Sequence, residues 1–131
     1  MLHCDAMQLT PHTLADHADD TSEPFEAQQT ILVLAHVEQS DVERPGRTLR
    51  HAYKNIKWLS RKRQCDGVVI HSFAHLSSSN APVDFSRQLL EQLGERLQNN
   101  GLNAQTTPFG VNNELHLHVQ GEPMAKYFNE I

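Results

Sequence analysis

The 131-residue sequence contains little cysteine, few turn-forming residues and no long hydrophobic run. Two cysteines, Cys4 and Cys65, are too few for a disulfide scaffold, so we expect free thiols in a reducing compartment. Six glycines and six prolines, beside 38% hydrophobic residues, exclude a fibrous chain and are typical of a globular domain. No apolar stretch approaches the roughly 20 residues that span a bilayer, and residues 1–5 lack the features of a signal peptide. We therefore expect one cytoplasmic domain over residues 1–131.

Positive charge is scarce outside one segment of this acidic chain. Eight of the eleven basic residues lie between Arg44 and Arg63, a stretch without Asp or Glu, although the net charge of the chain is -5. Five of them recur every three or four residues, which places them along one stripe of a helix. Because clustered cations attract phosphates, this stripe is a candidate contact for a nucleic-acid backbone, the alternative being a solvated charged face. The stripe consists of Arg47, Arg50, Lys54, Lys57 and Arg61.

Hydrophobic patterning predicts six strands. Residues 30–37 form a continuous apolar run that is typical of a strand buried on both faces, and residues 68–72 repeat this pattern. Residues 114–120 alternate between apolar and polar side chains, which predicts a strand with one face in the core. The acidic and polar stretch 16–29 predicts a surface loop. The remaining strands are predicted over residues 1–9 and 12–17, separated at Pro11, and over residues 102–107.

Two amphipathic helices are predicted between these strands. Apolar residues at helical spacing mark one buried face in residues 47–63 and another in residues 83–99. Pro82 precedes the second helix, and Asn100-Gly101 provides its end signal. The resulting order, β-β-β-α-β-α-β-β, predicts an α/β domain with one sheet, two main helices on one face, and right-handed crossovers.

Polar side chains follow the strand predicted at residues 68–72, and α/β folds often bind ligands at the carboxyl end of such a strand. The loop that follows contains His75 and a run of three serines at 77–79. A Ser–His pair there would offer a nucleophile and its base, although no G-x-S-x-G elbow is present. The alternative is a serine-rich loop that caps the helix beginning near Pro82.

The remaining motifs argue against metal and nucleotide chemistry. His116 and His118 are two apart on a predicted strand, as in some zinc sites, but no second pair of ligands accompanies them. We expect both to be polar positions that face solvent. The sequence also lacks a P-loop and the glycine fingerprint of dinucleotide-binding folds. We therefore expect neither a metal nor a cofactor.

Several motifs, taken together, resemble the editing domain of archaeal threonyl-tRNA synthetases. The segment 71–78 is similar to the family's Tyr-Ala-His-Leu-Ser-Ser loop, and residues 108–110 to its Ala-Pro-Phe-Gly turn. His3-Cys4-Asp5 resembles the family's His-Ser-Asp, and residues 121–125 its C-terminal Lys-Gly-His-Pro-Leu-Ala motif. The likeness covers nearly the whole chain.

This resemblance implies both a fold and an activity. The family's fold is similar to that of D-aminoacyl-tRNA deacylases, a three-layer α/β/β arrangement with a mixed sheet, usually found as a homodimer. Its members hydrolyse the ester that joins serine to threonine tRNA, without a metal. Editing is needed because a binding pocket rejects a near-isostere by only about a hundredfold. The implied partners are mischarged tRNA and, functionally, a threonyl-tRNA synthetase.

The resemblance also assigns the site by position. His75 matches the family's active-site histidine, whereas the tyrosine and lysine that follow the family's turn are replaced by Asn112 and Asn113. Lysine stabilises a developing oxyanion by its charge, while asparagine offers only hydrogen bonds. A glutamate of the family aligns with Lys126, which would bring a positive charge to the site. We expect His75, Asn112 and Asn113, as the catalytic set, to meet around one adenosine-sized cleft. The implied substrate-binding residues are Phe73, Ala74, Leu76, Ser77, Pro108, Phe109 and Gly110.

Three functions follow from these observations. The first is a freestanding deacylase that removes serine, or a D-amino acid, from tRNA in trans, with His75 positioning the terminal ribose or the attacking water. The second is a catalytically silent module that binds the tRNA end, which the Asn112-Asn113 pair favours. The third is a pocket protein of the same fold that binds a free nucleotide or amino acid.

Overall fold

The computed structural model describes residues 1–20 and 23–131. These residues form five strands, three α-helices and a final 3-10 turn at Pro123–Ala125. No helix among them is both long enough and apolar enough to span a bilayer. The strands are β1 (Leu2–Leu14), β2 (Phe25–Ala35), β3 (Gly67–Ser72), β4 (Asn103–Thr106) and β5 (Val111–Val119). The helices are α1 (Gln39–Glu43), α2 (Pro45–Arg63) and α3 (Val83–Asn99).

All five strands belong to one mixed sheet in the order β4-β3-β2-β1-β5. β2, β3 and β4 run parallel, whereas β1 is antiparallel to both of its neighbours, β2 and β5. Parallel neighbours need a crossover, which α2 provides between β2 and β3, and α3 between β3 and β4. The carboxyl ends of the three parallel strands therefore meet at one edge of the sheet.

Both long helices pack on the same face of this sheet and form the main core. Pro45 suits the first turn of α2 because its ring fixes a helical φ, and Gln64 ends the helix in the left-handed conformation. Apolar residues of α3 recur every three or four positions, so they lie on one face. The core combines Tyr53, Ile56 and Leu59 of α2, Leu90, Leu93 and Leu97 of α3, and Ile31, Val68 and Ile70 of the sheet.

The sheet is strongly coiled, as its register requires. Through its partners in β2 and β3, Leu2 lies level with the end of β4. Val111 pairs with Leu14, which is twelve positions further along β1. In a flat sheet, Val111 would then be about 40 Å along the strands from Thr106, at roughly 3.4 Å per residue. Five chain steps between these two residues reach at most about 18 Å. The ribbon of β1 and β5 therefore folds back across the sheet, aided by its two register shifts.

This folded-back ribbon encloses a second core on the sheet face opposite the helices. Met7 and Leu9 of β1 are buried there with Leu32 of β2 and Val69 of β3. Leu115, Leu117 and Val119 of β5 pack against the same cluster. Helices, sheet and ribbon thus form three layers, as the α/β/β expectation requires.

Most predicted elements are confirmed. The α/β class, the mixed sheet and the two main helices on one face are as expected, and α3 has the predicted bounds. One prediction was wrong: residues 1–9 and 12–17 are not two strands, because β1 continues through Pro11. Beyond Leu9, β1 pairs only with β5, so the missing N–H of Pro11 faces an unpaired edge near a register shift.

The predicted polar loop at residues 16–29 was also too long. Residues 25–29 belong to β2, and residues 25–28 pair with β1 despite the polar character of the segment, because one side of it faces solvent. Residues 21 and 22 of the predicted loop lie outside the described residues.

Candidate functional site

The serine loop, residues 73–81, is fixed over the carboxyl end of β2 by a histidine that follows that strand. The backbone N–H groups of Leu76 and Ser77 both donate to Nδ1 of His36, each at 3.1 Å. The Nε2 atom of the same ring lies 2.7 Å from the carbonyl oxygen of Ser79. Since Nδ1 accepts both of these hydrogen bonds, Nε2 is the ring nitrogen that donates to Ser79. One imidazole thus holds both halves of the loop.

Hydroxyl groups of the serine loop bind the segment that leads into α1. The Ser77 Oγ donates to Oε2 of Glu38 at 2.7 Å and accepts from the Ser79 N–H at 3.1 Å. The Ser79 Oγ in turn accepts from the Gln39 N–H at 3.1 Å. Among the described residues no serine hydroxyl is bonded to a histidine ring. The expected capping of α3 by this loop was wrong, because α3 begins after Pro82 without a side-chain cap.

One cavity, here called the main cavity, has a volume of about 470 Å³. It lies between the carboxyl end of β2, the two long helices, the serine loop and the C-terminal residues 126–131. A volume of this size is within the range of small-molecule sites, about 300–1,000 Å³. Its walls are largely apolar, from residues such as Val33, Val37, Leu49, Ile56, Leu89 and Leu93, and its polar groups include His36, Glu38, Asn55, Ser77 and Lys126.

The predicted residues of the serine loop are divided between this cavity and the surface. Leu76 and Ser77 line the main cavity. Ala74 and His75 are exposed and do not line it, and the ring of His75 packs edge-on against Phe73 at 4.7 Å between centroids. His75 is thus accessible at the outer side of the loop.

The turn at residues 108–110 follows β4 and is fixed by α3 and the segment after β1. Phe109 donates its N–H to Asp19 at 2.8 Å, and the guanidinium of Arg87 lies 4.8 Å from its ring. Burial of Asp19 disfavours its charge, but the hydrogen bonds from Phe109 and Arg87 outweigh burial and lower the pKa of this carboxyl. Gly110 has φ +77°, and a Cβ there would lie 2.9 Å from the Cα of Ala18. The turn therefore requires glycine.

The serine loop and this turn come from neighbouring strand ends, which a buried pair joins. Nδ1 of His71, on β3, lies 2.8 Å from the Thr107 hydroxyl just after β4. Burial lowers the pKa of His71 to about 4, so the ring is neutral at physiological pH. His71 thus serves as a structural link between the two loops.

The two asparagines point to opposite sides of β5, because neighbours on a strand alternate. Asn112 is exposed and donates to the Thr13 hydroxyl at 3.2 Å. Asn113 donates to the carbonyl oxygen of Val111 at 3.2 Å and lines a small pocket of about 10 Å³ beside Pro108. Neither side chain lines the main cavity, and a pocket of this volume is about the size of one water molecule.

The predicted cationic stripe lies on α2 and is here called the cationic row. Four of its members are exposed, whereas Lys57 is half-buried and donates to the Tyr53 hydroxyl at 3.0 Å. Among the described residues, none of the row's side chains forms an ion pair. Arg63 is the last basic residue of the segment 44–63 and does not belong to the row. Its guanidinium donates instead to His3 and Glu122. The row consists of Arg47, Arg50, Lys54, Lys57 and Arg61.

The other titratable groups form no metal site. In the part of the chain that the structure describes, no three His, Cys, Asp or Glu residues are arranged to hold a metal ion. His116 lies 2.8 Å from Glu114 on the exposed side of β5. Both cysteines are free and buried, and burial raises the pKa of Cys4 to about 11.

The sequence pattern missed two polar residues at this edge of the sheet, His36 and Glu38. His36 lies near the end of the buried strand predicted at residues 30–37 and Glu38 directly follows it, and both line the main cavity. The strand-end rule that selected the loop after β3 applies equally to β2, so a signal for both was present.

Comparison with known proteins agrees with the resemblance seen in the sequence. Residues 1–131 match the family described as the archaea-specific editing domain of threonyl-tRNA synthetase. The chain is 27% identical to the threonine–tRNA ligase of Thermococcus onnurineus and 26% identical to that of Methanosphaera stadtmanae, in each case over 96% of this chain and 21% of the ligase. It thus spans about a fifth of the length of these relatives. The chain belongs to the family of the archaea-specific editing domain of threonyl-tRNA synthetase.

Proposed function

We propose that this domain is an aminoacyl-tRNA deacylase that acts in trans and removes serine from mischarged threonine tRNA. The observation that carries the proposal is the main cavity, which opens beside the serine loop in a chain of the editing-domain family. We also propose that it works in the cytoplasm as a homodimer, beside a threonyl-tRNA synthetase.

The main cavity suits the terminal nucleoside of a tRNA and its amino acid. Its apolar walls accept the faces of an adenine ring, whose burial is favoured by the hydrophobic effect. Its polar edge, with Glu38 and Ser77, offers hydrogen bonds to the ribose and to the α-amino group of the amino acid. The Ser77 hydroxyl already donates a hydrogen bond to Glu38, so in this proposal it positions the substrate and does not act as a nucleophile.

In this proposal a water molecule attacks the ester carbonyl, and the bond to the ribose oxygen then breaks. Of the two protons of the water, one goes to the ribose oxygen and the other is released to solvent, so the amino acid leaves as a carboxylate. His75 is exposed and does not line the main cavity, so its proposed role, to position the terminal ribose or the water, requires the ester to lie at the outer side of the serine loop. Lys126 is the one lysine or arginine among the described residues that line the main cavity, so it would supply the positive charge for the oxyanion. That charge stands in for the lysine that Asn113 replaces.

A silent module that binds the tRNA end is the second candidate. It is favoured by the placement of Asn113, whose amide is bonded to its own strand and lines a pocket too small for a nucleoside. An uncharged group in that place cannot stabilise an oxyanion as lysine does.

Release of labelled amino acid from charged tRNA separates these candidates. The purified protein is incubated with seryl-tRNA(Thr), with threonyl-tRNA(Thr) and with several D-aminoacyl-tRNAs. For the deacylase we expect loss of seryl ester well above the spontaneous rate, with His75→Ala and Lys126→Ala each at least tenfold slower. His118→Ala is the matched control, because His118 is exposed on β5 and does not line the main cavity, and it should leave the rate unchanged. Ester loss at the spontaneous rate for every substrate would refute the proposal.

A further inference from the structure

α2 carries one exposed aromatic side chain beside the cationic row. Trp58 is the single tryptophan of the sequence, and 43% of its surface is exposed. At about 100° per residue, it lies on α2 between the cationic row and the side that lines the main cavity. A large exposed aromatic ring next to unpaired cations is unusual, since such rings are normally buried.

A second aromatic ring connects Trp58 to the cavity. Tyr127 lines the main cavity, and its ring centroid lies 5.4 Å from that of Trp58, with the planes tilted by 55°. The ammonium of Lys62 lies 5.6 Å from the Trp58 ring. Trp58 and Tyr127, here called the rim pair, therefore connect the wall of the main cavity to the part of α2 beside the cationic row.

The charge beside the rim pair suits a chain of phosphates. From Arg47 to Arg61 the row extends over fifteen residues of α2, and the fourteen steps between them span about 21 Å at 1.5 Å per residue. At about 3.4 Å per stacked nucleotide, this length matches about six nucleotides. The whole of α2 contains no carboxylate, so its surface attracts an anionic strand without local repulsion.

We propose that the rim pair is a base-stacking platform for single-stranded RNA, whose backbone lies along the cationic row and whose last nucleotide enters the main cavity. Exposed aromatic rings bind bases of any sequence by stacking, while cations hold the backbone. An acidic peptide would bind the cations, but Asp and Glu have no aromatic rings to stack on the rim pair, so single-stranded RNA fits better. The proposal deepens the proposed function, on which it rests for the identity of this RNA as the 3′ end of a tRNA.

The fluorescence of Trp58 tests this proposal without any measurement of hydrolysis. The full chain is titrated with a six-nucleotide single-stranded RNA ending in CCA, with the same sequence as a duplex, and with polyglutamate. Stacking on Trp58 predicts strong quenching by the single strand and little by the duplex or by polyglutamate. Binding should weaken as salt rises, because the cations displace counterions from the phosphates.

Variants then assign the contacts, with binding followed by the anisotropy of a labelled RNA. Trp58→Ala should weaken binding by about five- to a hundredfold, the usual effect of losing one stacked base, whereas Trp58→Phe should restore most of it. Arg61→Gln should lower the slope of log K against log salt by about one, and Arg61→Lys should leave the slope unchanged. Thermal unfolding of each variant shows that it is folded.

Each alternative result overturns the proposal. Equal binding of the single strand by Trp58→Ala and by the unsubstituted protein would exclude stacking, as would equal quenching by polyglutamate. Tight binding of the duplex without quenching would indicate contact with the backbone alone. Because binding and ester hydrolysis are measured separately, quenching without hydrolysis would refute only the proposed function, and hydrolysis without quenching only the platform.

Discussion

Stability of this domain should depend on pH through one buried histidine. Burial lowers the pKa of His71 from its ordinary value of 6.5 to about 4 in the folded protein. The unfolded chain therefore binds a proton at His71 between these two values, while the folded protein does not. Stability contributed by the neutral ring is fully present above about pH 6.5 and is lost as the pH falls towards about 4.

The size of this effect follows from the shift in pKa. The full difference corresponds to about 3 kcal/mol at pH 4 and below, at 1.36 kcal/mol for each pKa unit. At pH 5 about 2 kcal/mol of stability should be lost relative to pH 7. The loss should lower the midpoint of urea unfolding by roughly 1 M, given a slope of about 1–3 kcal/mol per molar urea.

A substitution isolates His71 from the other groups that titrate in this range. His71→Gln keeps an amide that can bond to Thr107 but removes the proton site. The free energy of unfolding, measured in urea at pH 7, 6 and 5, should fall about 2 kcal/mol further for the unsubstituted protein than for His71→Gln. His118→Gln, at an exposed site, is the matched control and should follow the unsubstituted protein. Parallel pH profiles for the unsubstituted protein and His71→Gln would refute the reasoning, because the buried ring would then be as basic as an exposed one.

Three further predictions concern the core, the turn and the site. Leu97→Ala removes a fully buried side chain and should cost about 2–5 kcal/mol in urea unfolding, so a cost below 1 kcal/mol would contradict the assigned packing. Gly110→Ala places a Cβ against Ala18 at positive φ and should cost about 1–3 kcal/mol by the same measurement, whereas Gly46→Ala, which meets no atom within 4 Å, should be neutral or stabilising. If the silent module is the correct function, the double substitution Asn112→Tyr with Asn113→Lys should give measurable hydrolysis of seryl-tRNA where the unsubstituted protein shows none. An unchanged or lower rate would argue for the deacylase that already uses other groups.

Local patterns were sufficient for the two long helices, whereas α1 was not predicted. The apolar spacing in residues 83–99 gave the bounds of α3, because a helix end is marked by residues next to it in sequence. The apolar runs that predicted β2 and β3 were equally clear, since both strands are buried. The resemblance to the editing-domain family, based on motif order, was confirmed by the family match over residues 1–131.

The ribbon and the arrangement of the site depended on long-range contacts that no local pattern contains. Proline normally interrupts a strand, and only the pairing of β1 with β5 shows why Pro11 does not do so here. Asn112 and Asn113 are adjacent in sequence, but the strand that contains them points their side chains apart. The main cavity likewise depends on Tyr127 and the other C-terminal residues, whose position against α2 follows from tertiary packing.

The first and last segments of the chain are hydrogen-bonded to each other. The amino group of Met1 donates to the carbonyl oxygen of Tyr127 at 2.6 Å, and the Tyr127 N–H donates to the Met1 carbonyl oxygen at 2.9 Å. Met1 and Tyr127 therefore lie side by side, an arrangement that makes circular permutation of residues 1–131 feasible. A permuted protein joined by a short linker and opened at the exposed Asn100-Gly101 turn should fold to the same architecture. Because Met1 and Tyr127 are adjacent, residues 1–131 could also be inserted into a loop of another protein without moving apart the two residues that flank the insertion.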